Sequence, residues 1–213
     1  MTRVVVVDLG TGNLRSVGKA VEHTSSAGDS VSISRDPVAI TTADRIVLPG
    51  QGAIGSWLAA LENVELNAAL MAALATKPVL AICVGMQALF EFDHEDGGHP
   101  CLGLFGGEVV RFEDGRIDAQ GLPMKVPQMG WNKAFITRAH PLWHGIDDGS
   151  WFYFVHSYYV TSPLPELVTG ETEYGVRYCS AAARDNIFAI QCHPEKSHRT
   201  GLKLIENFMN WTP

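Results

Sequence analysis

Apolar positions in the first half of the chain fall into short runs that alternate with helical spacings. Residues 3–8 open on a β-branched run and end at Gly10-Thr11-Gly12-Asn13, a buried strand followed by a turn. Leu14, Val17 and Val21 then recur at helical spacing, and that pattern stops before Gly28. Residues 30–34 alternate as a second strand, and residues 45–48 form a third, closed by Pro49-Gly50. Helical spacing resumes at Ile54 and runs to Leu74, as one helix or two, until Lys77-Pro78 breaks it. Residues 79–82 are a fourth apolar strand, and residues 85–90 read as the start of a helix. This alternation with short connections predicts an α/β fold: a mainly parallel sheet with helices on both faces.

The second half reads differently. Residues 91–121 are loop-rich and acidic, with one strand expected over 108–112. Strand patterns follow at 131–137, 151–160, 167–171, 174–183 and 187–191, with few helix signals between them. A run of strands predicts an antiparallel region added to the parallel sheet. Leu202, Ile205, Phe208 and Met209 are spaced for one face of a closing helix. The pattern predicts a single domain over residues 1–213, with no internal repeat and no low-complexity linker.

Composition narrows the class. Of the 213 residues 46% are hydrophobic and 18% charged, enough for a core and too little charge for disorder. A formal net charge of −7 argues against a nucleic-acid partner. Four irregularly spaced cysteines argue against a disulfide scaffold and for reduced thiols in a cytoplasm-like compartment. No apolar run reaches membrane-spanning length, and the N-terminal Met1-Thr2-Arg3 leads into a strand without a cleavage site, so no membrane association is expected.

Three segments carry chemistry. In Ala81-Ile82-Cys83-Val84-Gly85-Met86-Gln87 a cysteine stands where a strand gives way to a helix. Such a corner lifts a nucleophile out of a sheet, and the N–H groups of the helix start favour a thiolate. Taken alone, Cys83 reads equally well as a buried core cysteine. Gln191-Cys192-His193-Pro194-Glu195 changes that balance: His193 is placed to act as general base towards Cys83, and Glu195 to hold the imidazole and stabilise its cation. The third segment is Leu48-Pro49-Gly50-Gln51-Gly52-Ala53, a glycine-rich loop whose Gly52 N–H, with the Val84 N–H, could hold an oxyanion. Gly50, Gly52 and Gly55 also fit a dinucleotide fingerprint, but the next strand delivers Cys83 where that fingerprint needs an acid. Cys192, His193 and His198 match no common zinc spacing, so neither metal nor cofactor is expected.

Together these motifs resemble those of the class I (triad) glutamine amidotransferases, over essentially the whole chain. Three further segments are similar to the glutaminase subunits of imidazole glycerol phosphate synthases of histidine biosynthesis: Val126-Pro127-Gln128-Met129-Gly130-Trp131-Asn132, Tyr153-Phe154-Val155-His156-Ser157-Tyr158-Tyr159 and His193-Pro194-Glu195-Lys196-Ser197. Departures are Ala81 where that family has Gly, Cys192 where it has Phe, and Gln51 and Ile54 beside the oxyanion loop.

The resemblance implies a flavodoxin-like sheet with added antiparallel strands. It implies glutamine hydrolysis through a Cys83 thioester, and release of ammonia to a separate (β/α)8-barrel cyclase subunit. It also puts Ser157 and Tyr158 against the substrate carboxylate. By spacing, Gln87 lies on the helix face of Cys83 and is a substrate contact or a plain surface residue. Glu95 is a partner for the substrate ammonium or a solvated loop charge. Lys196 and Asn13 are candidate contacts to the cyclase, with Lys196 otherwise an ordinary surface charge. Period two over 151–160 puts His156 and Tyr158 on one face, Ser157 and Tyr159 on the other. Three other readings remain: a glutaminase serving a different synthase, a non-catalytic subunit on the same fold, and a cysteine hydrolase with another substrate.

Overall fold

The valine run that opens the chain is buried from Val4 to Val7, as a strand covered on both faces must be. A computed structural model describes residues 1–117, 121–161 and 163–213. Its first half contains β1 (Arg3–Val7), α1 (Leu14–Thr24), β2 (Ser30–Ser34), α2 (Pro37–Thr42), β3 (Arg45–Gly50), α3 (Ile54–Ala59), α4 (Val64–Thr76), β4 (Val79–Cys83) and α5 (Val84–Gln87). The second half adds β5 (Phe92–Asp93), β6 (His99–Pro100), β7 (Glu108–Arg111), β8 (Gln128–Ile136), β9 (Ser150–His156), β10 (Tyr158–Thr161), β11 (Val168–Glu173), β12 (Arg177–Arg184), β13 (Ile187–Ile190) and α6 (His198–Asn210).

The parallel part of the sheet has the order β2-β1-β3-β4-β13. This is the flavodoxin-like arrangement, and its handedness fixes where the helices lie. The step from β1 to β2 runs one way along the sheet, so α1 covers one face. The steps from β2 to β3 and β4 run the other way, so α2 and α4 cover the opposite face. The packing agrees, since α1 lies against α6 and α2 against α4. Every residue of β4 and β13 is buried.

The added region is antiparallel. β12 pairs with β13 through Ala181–Arg184, with β10 at Cys179, and with β11 along Arg177 to Ala182. One branch continues through β10, β7, β5 and β6, the other through β11, β8 and β9. The second branch returns to the centre of the molecule: the His193 N–H donates to the Tyr153 carbonyl of β9 at 2.8 Å, and the Tyr153 N–H donates to Ser197 Oγ at 3.0 Å. α6 is fastened at both ends. Gly201 sits so close to Pro194 that a Cβ would strike its carbonyl, and Arg45 Nη1 donates to the Phe208 and Trp211 carbonyls at the far end.

Several sequence expectations need correction. The helix after Cys83 stops at Gln87 rather than running to Phe90. The Leu89 and Phe90 N–H groups reach the Met86 and Gln87 carbonyls three residues back, and the carbonyls of Ala88, Leu89 and Phe90 accept from the N–H groups of Leu102, Phe105 and Gly103, so the chain turns out of the helix. The strand expected over 151–160 is two strands that separate at Ser157, because β9 pairs with β8 whereas β10 pairs with β7 and β12. The strand expected from Tyr174 begins at Arg177, after a turn in which Gly175 has φ +65°. The expected loop at 91–121 also contains β5 and β6, and its residues 118–120 lie outside the described residues. The short helix α2 went unpredicted, although Asp36 caps it and Pro37 takes its first position.

Gly85 has the tightest setting at the end of β4. A Cβ there would collide with the Leu48 carbonyl, which belongs to a central strand that cannot yield. Gly85→Ala should therefore lower stability by about 3 kcal/mol, the upper end of the usual overpacking cost. Urea unfolding of the two proteins measures it, and an unchanged midpoint would contradict the packing.

Candidate active site

β4 delivers Cys83 at its carboxyl end between two parallel neighbours. Gly50 of β3 lies in register with Cys83, and Ile190 of β13 with Ile82. The glycine-rich loop and the residue 191–195 turn therefore flank the sulfur from either side. Cys83 has φ 56° and ψ −114°, a strained setting for a side-chain-bearing residue and the shape of a nucleophile elbow. The elbow rests on β3: a Cβ on Gly50 would lie 2.8 Å from the Gly85 nitrogen. Backbone thus touches backbone, and Gly52, with φ +88°, is drawn beside Cys83. Val84 opens α5, so no carbonyl one turn earlier claims its N–H.

His193 and Glu195 occupy the turn after β13. The His193 ring is 1% exposed, and Nδ1 lies 2.8 Å from Glu195 Oε1, whose side chain is fully buried. β9 holds the turn as described, and Ser197 Oγ donates to the His193 carbonyl at 2.6 Å. Burial alone would suppress the charge on His193, but attraction to the Cys83 sulfur and to Glu195 outweighs it and pushes the pKa up to about 10. Among the described residues no group meets full hydrogen-bond geometry at His193 Nε2, but the Cys83 sulfur acts on the ring through both charge attraction and a hydrogen-bonding contribution. The arrangement suits a thiolate beside an imidazolium, with one ring nitrogen left for a proton transfer.

A cleft of about 530 Å³ opens over these groups. It is lined by Gly52, Val84, Gln87, Glu95, Ser157, Tyr158 and Lys196, together with Cys83 and His193. The volume suits a small polar molecule. Gln87 is a buried residue rather than a surface one, and its Nε2 donates to the Tyr158 carbonyl at 2.9 Å and to Gln191 Oε1 at 3.1 Å. Glu95 accepts the Ile54 N–H at 2.7 Å, so it caps α3, whose own N-cap, Ala53, offers no side-chain acceptor. The Lys196 ammonium stands 5.7 Å from the centre of the Tyr153 ring. Asn13 lies outside the cleft: it caps α1 through Ser16, and its N–H donates to Gln51 Oε1 at 3.1 Å, which ties the first turn to the glycine-rich loop. Among the described residues no group of three or more His, Cys, Asp or Glu converges as a metal site. No single helix among them is long and apolar enough to cross a membrane.

Sequence reasoning passed over Gln191 and Ser197 as agents in their own right, although both stand inside quoted motifs. It also missed Asp93. That carboxyl is fully buried, accepts the Glu95 N–H at 2.9 Å through Oδ1, and has no partner at Oδ2 among the described residues. Burial, helped by the charge of Glu95, raises its pKa to about 6. A carboxyl whose folded pKa lies above the unfolded 3.8 favours folding while protonated, so its ionisation costs stability as the pH rises through 6. Asp93→Asn keeps the acceptor and removes the charge. The variant should be the more stable protein at pH 8, with the difference closing as the pH falls from about 6 to about 4. Thermal melts across that range read it, and a pH-independent difference would contradict the assignment.

Comparison with known proteins places this geometry. Residues 5–211 match the glutamine amidotransferase class I family. The chain is 49% identical to the imidazole glycerol phosphate synthase subunit HisH of Nitrosomonas europaea, over 100% of both chains. It is 50% identical to the protein of the same name from Dechloromonas aromatica, over 99% of this chain and 97% of that one. Among solved structures it resembles a glutamine amidotransferase from Thermotoga maritima (TM-score 0.62, 15% identity, 98% of this chain and 83% of that one). It also resembles the glutaminase domain of Trypanosoma brucei CTPS (TM-score 0.61, 13% identity, 99% and 92%). At these identities the structural likeness speaks for the fold alone, whereas the family match spans nearly the whole sequence. The chain belongs to the class I glutamine amidotransferases.

Proposed function

We propose that the chain is the glutaminase subunit of an imidazole glycerol phosphate synthase. In this reading Cys83 attacks the side-chain carbonyl of glutamine, and the Gly52 and Val84 N–H groups hold the resulting oxyanion. His193 passes its proton to the departing nitrogen, which leaves as ammonia, and a γ-glutamyl thioester remains on Cys83. His193 then takes a proton from water, hydroxide attacks the thioester, and glutamate departs as the thiolate is restored. Glu195 holds the ring in the tautomer that leaves Nε2 to the reaction. Gln87, Glu95, Ser157 and Tyr158 are the walls offered to the amino-acid end of the substrate. The observation that carries the reading is the elbow cysteine facing a buried, carboxylate-backed histidine across two paired strands.

Ammonia free in neutral water is mostly protonated and no longer nucleophilic, so a synthase needs it delivered through an enclosure. The receiving partner in this reading is a (β/α)8-barrel cyclase subunit that makes imidazole glycerol phosphate. Lys196, beside the triad, and Asn13, tied to the glycine-rich loop, are the proposed contacts to it. A reducing, cytoplasm-like compartment suits a thiolate nucleophile and the other three free cysteines.

Glutamate formation, measured with and without the cyclase and its nucleotide ligand, tests the proposal. Cys83→Ala should abolish turnover, and undiminished activity in that variant would overturn the mechanism. Glu195→Gln should keep the fold and lower kcat by roughly 10²- to 10⁴-fold. A loss confined to KM would show that Glu195 does not orient the catalytic imidazole.

A further inference from the structure

The sulfur of Cys83 has a second neighbour besides His193. Gln191, the last residue before the Cys192-His193 pair, is fully buried, and its Nε2 lies 3.6 Å from Cys83 Sγ. Its backbone N–H is anchored on the Ser180 carbonyl of β12 at 2.8 Å. An amide presents a donor at one end and an acceptor at the other, so its effect on the sulfur depends on which end faces inward.

One carbonyl settles that question. The Tyr158 main-chain oxygen can only accept. It lies 2.9 Å from Gln87 Nε2, which fixes the nitrogen of Gln87 towards it. The second N–H of that nitrogen reaches Gln191 Oε1 at 3.1 Å. With its oxygen engaged there, Gln191 must aim its own N–H groups at Cys83. The same carbonyl lies 2.7 Å from His156 Nδ1, so that nitrogen carries the hydrogen. Burial holds the His156 pKa down at about 4, so the ring is neutral and Nε2 accepts. The group facing Nε2 is the Tyr178 hydroxyl at 3.1 Å, which therefore donates to it. Tyr178 is in turn 2.9 Å from the Gln128 amide, and turning that amide end for end gives Gln128 Nε2, otherwise unpartnered among the described residues, an acceptor in the Tyr178 oxygen. Donors thus run in one sense from Gln128 through Tyr178 and His156 to the Tyr158 carbonyl. From the other side of that carbonyl they run from Gln87 through Gln191 to the sulfur.

We infer that Gln191 is a positioning residue for the reaction, directing an amide N–H at Cys83 Sγ so that the thiolate is stabilised and aimed into the cleft, with its orientation dictated through Gln87 by the Tyr158 carbonyl. The assignment rests on Cys83 being the nucleophile. It makes the strand break at Ser157–Tyr158, where the substrate is proposed to sit, and the reacting sulfur two ends of one hydrogen-bonded unit. An N–H aimed at a thiolate stabilises the charged form and not the neutral thiol, so its effect appears in the pH dependence of reactivity.

Gln191→Met removes the donor at nearly constant volume, and Gln191→Glu keeps the shape while replacing the donor with an acceptor. Cys83 alkylation by iodoacetamide, followed by mass spectrometry on the full chain with and without the cyclase, gives the pH–rate profile. Glutaminase assays give kcat and KM. For Gln191→Met the alkylation profile should move to higher pH by about one unit, the size expected for a hydrogen bond to a charged group. Its kcat should fall about tenfold or more with KM nearly unchanged, and Gln191→Glu should shift both further in the same direction. Thermal melting identifies any variant that fails to fold, in which case the other variant decides. A purely structural role would lower stability and leave the alkylation profile of the folded fraction where it is in the wild type, which would overturn the inference. Loss of turnover in Cys83→Ala alongside a wild-type profile in both Gln191 variants would sink only the role of Gln191. Full turnover in Cys83→Ala would sink the glutaminase reading itself.

Discussion

The site depends on the contact of two backbones, the end of β3 against the turn that follows β4. Gly50 packs against the Gly85 nitrogen, closed in by the Val84 and Trp57 side chains, and the Leu48 carbonyl occupies the space a Gly85 Cβ would need. That approach lets Cys83 adopt φ 56° at the rim of the sheet. A strained residue persists only where its surroundings over-determine it, and here they do. β4 is buried on both faces, its neighbours are parallel and in register, and the chain beyond Gln87 is held by residues 102–105. The same contact carries the glycine-rich loop to the sulfur, so nucleophile and candidate oxyanion donors share one cause.

The antiparallel region completes the other half. Parallel strands alone would leave the turn at 193–197 exposed on a loop. β9 comes back across the molecule and grips it at Tyr153, accepting from His193 and donating to Ser197, while α6 closes on Pro194 from below through Gly201. Ser197 Oγ both accepts from Tyr153 and donates to the His193 carbonyl, so a single hydroxyl links strand and turn. The histidine is held by main-chain bonds on one side and by a buried carboxylate on the other.

Much of this was legible in the sequence because it is local. The β-branched runs at 3–8 and 79–82, the spacing of Leu14, Val17 and Val21, and the cysteine at a strand–helix corner are periodicities and junctions a few residues long. The features that escaped depend on distant partners. The chain after Gln87 tightens into turns and is tied to residues 102–105 rather than continuing as a helix. The strand at 151–160 divides because its two halves have different neighbours. Glu95 reads as a partner for a substrate ammonium or a loop charge, and its capping of α3 emerges only when Ile54 is laid beside it; Gln191 reads as the end of a strand until β13 is laid beside β4. Pairing register, which sequence periodicity does not encode between distant strands, separates the two groups.

Two buried imidazoles show what decides chemistry once burial is equal. His156 and His193 are 6% and 1% exposed, and both stand near the cleft. Desolvation penalises the charged ring in each case. His156 faces a main-chain carbonyl and a phenol, neither of which carries charge to offset that cost, and its pKa falls to about 4. His193 faces a carboxylate and a sulfur, and its pKa rises to about 10. The neutral ring therefore serves as a rigid, directional link within the wall, whereas the charged one can hold and release a proton where a bond is made or broken. Each ring also acts on the other, since a positive His193 further disfavours a proton on His156. The contrast arises where charged partners outweigh burial at His193 and neutral ones do not at His156. Burial sets the neutral state of His156 against the weaker upward pull of the Tyr158 carbonyl, and the Cys83 sulfur and the Glu195 carboxylate are the groups that reverse that outcome at His193.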